Sequence, residues 1–224
     1  MKKTKMSSRR RRTLRRVLVA AAAVLLVNRI FLIGLLLPIQ AIRHNEEREG
    51  TGRTAVVRRD WAPEVYKSQL VYLTENENVT MLSGARLTYL GWMNSFSFPL
   101  DCTEEAPIHG GWWSISRQGR ELNLFYVFGR IDDPEIAWLE VFRLRNGDPL
   151  DEERIGRTSG NWGINRSSES WIEKDGWSYF LLKTYPVDWN DYPLGFSVVA
   201  IGYDDAGNEI ARVALDGGGS SSSG

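Results

Sequence analysis

One cysteine and two histidines are all that these 224 residues supply of the side chains most used in redox and metal chemistry. The lone cysteine, Cys102, excludes an internal disulfide, so the chain is not a small secreted domain held by cross-links. Zinc needs a full set of nitrogen and sulfur ligands, and His44, Cys102 and His109 are too few and too scattered to promise one. No cofactor is expected either, because the chain has no Walker loop, no dinucleotide glycine turn and no Gly-x-Ser-x-Gly elbow. Long helical periodicity is missing beyond residue 42, and there is no internal repeat. Acidic residues are missing from 1–42, which holds ten of the 28 Lys and Arg; residues 43–224 carry the other 18 against 28 Asp and Glu, a net of −10. The neutral total therefore averages a basic head and an acidic body. Phosphate contacts need Lys and Arg, so the body is not expected to bind nucleic acid.

What is present first is a basic-then-apolar N-terminus. Lys2, Lys3, Lys5, Arg9 to Arg12, Arg15 and Arg16 precede an apolar run from Val17 to Ile42, broken by Asn28-Arg29. As one helix this run would be about 39 Å long, against a hydrocarbon core of roughly 30 Å. A central Arg costs about 2.5–3.5 kcal/mol on insertion. The sixteen Val, Leu, Ile and Phe residues of the run each return roughly 0.3–0.6 kcal/mol near the centre, which outweighs it. The expectation is a transmembrane helix or uncleaved signal anchor over 17–42. The alternatives are a signal peptide cleaved near Ile39-Gln40-Ala41 and a soluble buried hairpin. The positive-inside rule puts residues 1–16 in the cytoplasm and the body outside a cell membrane, with lipid as a first partner. Arg29 either snorkels or pairs with an acidic group in a partner's membrane helix.

Residues 43–59 read as a juxtamembrane linker, 60–216 as one domain, and 217–224 (GGGSSSSG) as a flexible tail. The domain reads as β throughout. Strands are expected at 70–73, 85–92, 121–131, 136–144, 170–173, 177–185, 196–203 and 209–215. The 121–131 stretch is apolar on both faces, which marks a central buried strand. Turn signals stand at Asp132-Asp133-Pro134, at Lys174-Asp175-Gly176 and at Asp204 to Asn208. The fold class expected is all-β: a single extracytoplasmic β-sandwich behind one N-terminal transmembrane helix. The closing hairpin, FSVVAIGYDDAGNEIARVAL, resembles the last strand pair of bacterial immunoglobulin-like modules, although no Cys…Trp…Cys framework accompanies it.

Nine tryptophans, all in the body, are the compositional oddity. A core uses two or three, and exposed indoles stack on sugar faces or anchor protein partners. Trp162 with Asn161, and Trp189 with Tyr192, sit in polar, loop-like runs and are the foremost binding candidates. Trp112 and Trp113, after His109-Gly110-Gly111, are a further pair that could shape a pocket. For each, folding back onto the core is the competing explanation.

Cys102 and His109 stand seven positions apart and could form a nucleophile–base pair. Sortases and L,D-transpeptidases use such pairs, but both place the cysteine after the histidine, whereas here Cys102 comes first. The acidic runs Asp132 to Glu135, Asp148 to Glu153, Asp188 to Asp191 and Asp204-Asp205 match no calcium loop and read as solvated turns. No catalytic or metal-binding residue is assigned. The function expected is a membrane-anchored binding module for a glycan or protein partner, rather than an enzyme. Two alternatives are a structural or sensor subunit assembled through the membrane helix, and a cell-envelope hydrolase.

Overall fold

The structure is a computed structural model that describes residues 8–31, 35–63, 68–117, 123–145, 152–154, 163–184 and 196–222. Two helices, α1 (Ser8–Phe31) and α2 (Pro38–Glu49), precede the strands. The first four strands are β1 (Ala55–Trp61), β2 (Gln69–Glu75), β3 (Val79–Thr88) and β4 (Gly91–Asp101). They form an antiparallel meander in the order β1-β2-β3-β4. The remaining strands are β5 (Ile108–Arg117), β6 (Asn123–Ile131), β7 (Trp138–Arg145), β8 (Glu152–Arg154), β9 (Ile164–Asn165), β10 (Trp171–Lys174), β11 (Trp177–Thr184), β12 (Phe196–Tyr203) and β13 (Glu209–Ser222). They form a second sheet in the order β10-β11-β6-β5-β13-β12-β7-β8, with β9 also on β7. The body is thus all-β, in two sheets.

β6 lies inside the larger sheet and is buried on both faces, as its double-sided apolar pattern predicts. Leu124, Tyr126 and Phe128 join Val71, Leu73, Leu82, Phe96 and Leu100 in a core between the two sheets. Phe125, Val127 and Ile131 point the other way, with Phe180 and Leu182, and meet Val141, Val198, Ala200 and Leu215. The larger sheet therefore folds over on itself around a second core. Each fully buried side chain of this size contributes about 1.5–3 kcal/mol, so a strand that serves two cores is the least replaceable element.

The expected continuous helix over 17–42 is divided. α1 ends at Phe31, Leu35 pairs with Trp92, and a separate helix begins at Pro38. Proline disfavours helical backbone in the residue before it and has no N–H to give. The Gln40 side-chain oxygen accepts from the N–H groups of Leu36 and Leu37 at 3.0 and 3.1 Å, which fixes the new start. Gly50 ends α2 in the left-handed region. Ala41 and Ile42 pack against Leu70, Tyr72, Met81 and Ala85, on the face of the small sheet away from β6. Every α1 side chain the structure describes is exposed. No helix among the described residues is long and apolar enough to cross a membrane.

Three further expectations change. Residues 43–59 are not a linker, since α2 continues through Glu49 and β1 starts at Ala55. The charge that suggested a linker is internally satisfied: buried Glu46 pairs with Arg43 and accepts from the Thr54 N–H at 3.1 Å and from the Thr54 hydroxyl. Ala85–Trp92 is not one strand, because the chain reverses at Tyr89-Leu90 and Thr88 pairs with Gly91. The Thr88 hydroxyl makes this turn, accepting from the Leu90 N–H at 3.2 Å and donating to the Gly91 carbonyl at 2.9 Å. Nor does the Gly/Ser tail hang free, for β13 runs on to Ser222 and pairs parallel with β5, Asp216 beside Gly111 through Ser222 beside Arg117. Glycine is required at 217, where a Cβ would lie 2.0 Å from the Trp112 indole.

Candidate functional site

The register of the larger sheet puts three polar residues in a row. Arg130 on β6 pairs with His109 on β5 and with Tyr179 on β11. All three lie at the end of the core between the sheets, where β6 leaves for its turn. Arg130, whose side chain is 4% exposed, is the hub. Its Nε and Nη2 donate to the two carboxylate oxygens of Asp132 at 2.6 and 2.7 Å. Its Nη1 donates to the Glu77 carbonyl at 3.1 Å, and Nη2 also to the Cys102 carbonyl at 3.2 Å. Those two carbonyls belong to the β2–β3 turn and to the residue just after β4, so one guanidinium joins the small sheet to the large one. A planar fork of donors is the group suited to that geometry.

Above this hub lies Trp177, the first residue of β11, with the Arg130 guanidinium carbon 4.6 Å from its ring centroid. The hairpin that delivers it turns at Asp175 and Gly176, both at positive φ (51° and 86°). Trp177 is 41% exposed. It lines two adjoining clefts, of 670 and 420 Å³, which share Asp132 and Asp133. The larger is completed by Ile131, Pro134 and Ile136 on one wall and by Arg166, Glu173, Lys174 and Asp175 on the other. The smaller is completed by Glu105, Ala106 and Pro107. Cleft charges are partly engaged: Lys174 lies 3.2 Å from Glu75, and Arg166 lies 3.8 Å from Glu173. The arrangement offers an indole surface ringed by carboxylates and two cations, which suits a ligand with an apolar face and a rim of hydroxyls or amides.

The same row does not read as acid–base machinery. His109 Nε2 is buried 3.4 Å from Asp132 Oδ2 and makes no hydrogen bond. Cys102 is buried, its thiol donating weakly to the Thr80 hydroxyl at 3.6 Å. Burial pushes the thiol pKa up, away from the thiolate a nucleophile needs. Burial, reinforced by the Glu75 carboxylate, likewise raises the Tyr179 phenol far above its ordinary value.

The aromatic candidates separate. Trp112 stacks on Phe125 (centroids 5.2 Å apart), and Trp113 stacks on Phe96 at 5.5 Å, on opposite faces of β5. Both rings are partly buried and pack against the two cores. Trp138 stacks on Tyr203 at 4.1 Å, and Trp171 is buried. Trp61 and Trp177 are the exposed indoles among the described residues, at 45% and 41%. Asn161, Trp162, Trp189 and Tyr192 lie outside the described residues. Arg29 falls within α1, and its side chain is likewise outside them. Of the acidic runs, Asp204 is taken up by its own turn: Asn208 donates to it from N–H and Nδ2 at 2.7 and 2.8 Å, which lowers its pKa. Among the described residues no group of three His, Cys, Asp or Glu gathers to hold a metal ion.

Arg130 and Trp177 are the residues that sequence reading passed over. A lone arginine in an apolar strand gives no sign of what meets it. The position of Trp177, directly after a positive-φ hairpin turn, is the one signal that could have singled it out. No protein-family profile matches the chain, and no curated protein matches it in sequence.

Proposed function

We propose that this protein is a membrane-attached binding module whose β body takes a carbohydrate in the cleft beside Trp177. The observation that carries the reading is the indole itself. It is held over Arg130, 41% exposed, and forms the boundary of two clefts with carboxylate and cationic rims. A ring positioned in advance by a buried cation stacks on a sugar face with little further loss of side-chain freedom. Asp133, Glu173 and Arg166 line the same cleft and offer carboxylate and guanidinium partners to a sugar's hydroxyls.

Attachment is assigned to the basic head and the apolar segment after it. Val17, Leu18, Val19, Val24, Leu26 and Val27 are 47–69% exposed. Side chains of that kind, in a helix segment that comes after nine Lys and Arg residues, six of them in the same helix, suit a lipid environment beside anionic headgroups. The charge asymmetry then favours display of the acidic body on the outer side.

The test is a glycan array probed with the full chain in lipid nanodiscs, followed by calorimetry on any hit. Trp177→Ala should abolish binding, and Trp61→Ala should leave it intact. Equal loss in both, or retention in Trp177→Ala, removes this cleft as the binding site.

A further inference from the structure

The turn between β3 and β4 breaks the usual chemistry of turns. Its two central residues are Tyr89 and Leu90, where Gly, Asn, Asp or Ser would be ordinary. Tyr89 is 95% exposed, the most exposed large hydrophobic side chain described. Around it, Leu87, Leu90 and Met93 are also exposed, as are Leu36 and Leu37 from the segment before α2. The two segments are tied together: Leu35 and Trp92 exchange backbone hydrogen bonds at 2.8 and 2.7 Å. Residues 35–42 and 87–100 contain no Asp, Glu, Lys or Arg, although residues 43–224 carry a net charge of −10. The hairpin tip and the segment before α2 therefore form an uncharged apolar strip, with Arg86 the first charge beside it.

This strip is also where α1 arrives. Phe31 and Leu35 are four residue steps apart, at most about 14 Å when fully extended, which is less than half a bilayer core of roughly 30 Å. We infer that the β3–β4 hairpin tip, with Leu36 and Leu37, is a second membrane contact that seats the body on the phospholipid bilayer that α1 enters. An exposed Tyr among aliphatic side chains is the composition of the water–lipid interface. An anionic surface repels the acidic remainder of the body, so the uncharged tip, with the cationic Arg86 beside it, is the part that can approach. Two contacts fix the orientation of a body that one helix would leave free to swing. They turn the same end toward lipid in every copy.

The inference rests on attachment through α1, and the experiment separates the two. The full chain is reconstituted into vesicles of phosphatidylcholine and phosphatidylglycerol. It carries an environment-sensitive fluorophore on a single introduced cysteine: Tyr89→Cys, Val24→Cys in α1, or Asp205→Cys in the β12–β13 turn. Wild-type chain treated in parallel reports any labelling of buried Cys102. The expected result is a blue shift and quenching by spin-labelled lipid at 89 and at 24, with neither at 205. Adding Leu90→Asp should reverse the signal at 89 and spare the signal at 24. Lipid contact at 24 with a water-like signal at 89 overturns the seating and leaves attachment standing. No lipid contact at either position overturns both. A blue shift at 89 that grows with protein-to-lipid ratio and resists spin-labelled lipid means the tip meets a second copy, and also overturns it.

Discussion

The Arg130 guanidinium lies 4.6 Å from the centroid of the Trp177 ring, so the most buried cation described in the body supports one of the two exposed indoles among the described residues. That link couples the joint between the sheets to the shape of the cleft. Whatever loosens Arg130 loosens the surface on which a ligand would stack.

Arg130→Met should destabilise the body by about 3 kcal/mol, the lower end of what breaking a buried pair costs. The lower end applies because Asp132 keeps part of its solvent (22% exposed). Arg130→Lys should recover little, since an ammonium cannot serve both Asp132 oxygens and the carbonyls of Glu77 and Cys102 together. Denaturant titration measures both. A loss below about 0.5 kcal/mol, the range of ordinary surface substitutions, would mean the hub does not join the sheets.

Deleting residues 217–224 should weaken the protein, although their composition reads as a linker. The deletion removes the pairing of β13 with β5 beyond Asp216 and uncovers Trp112. Gly217→Ala alone should cost about 1–3 kcal/mol, as overpacking does, because its Cβ would fall on the indole. Hydrogen exchange of the Trp112–Ser116 amides follows the change directly. Unchanged protection after deletion would return the segment to the role of a free tail.

Stability should fall on the alkaline side. Burial raises the pKa values of Cys102, Tyr72 and Tyr179. Unfolded thiol and phenol groups lose protons at about pH 8.5 and 10, while the folded chain still holds them. The stabilisation is therefore complete below about pH 8.5 and is lost as pH rises through the raised folded values. Cys102→Ala should remove the first part of the decline and leave the tyrosine part. Chemical denaturation at pH 7 to 11 measures it, and a flat profile would contradict the burial of all three groups.

Much of the sheet was legible because its signals are local. β6 shows apolar residues on both faces, and Asp175-Gly176 and Gly207 supply the positive φ values that their turns need. α2 was hidden because half of its buried face is Asn45 and Glu46, which read as solvated until Phe96 and Thr54 are brought to them. The β3–β4 turn was hidden because Tyr89 and Leu90 look like strand. The extension of β13 was hidden because its glycines carry meaning only once Trp112 lies against them. At the site, His109, Arg130 and Tyr179 are far apart in sequence, and only the register of β5, β6 and β11 aligns them. Nine tryptophans pointed to aromatic recognition, but choosing among them needed burial, which composition does not carry.

Contact between Trp177 and the ligand is what the proposed cleft requires above all. The most direct measurement is fluorine NMR of the full chain with 5-fluorotryptophan in its nine positions, assigned by single Trp→Phe substitutions and titrated with a glycan that binds. The Trp177 resonance should move with ligand concentration while those of Trp112, Trp113 and Trp171 stay in place. Saturable binding with a stationary Trp177 resonance would contradict it.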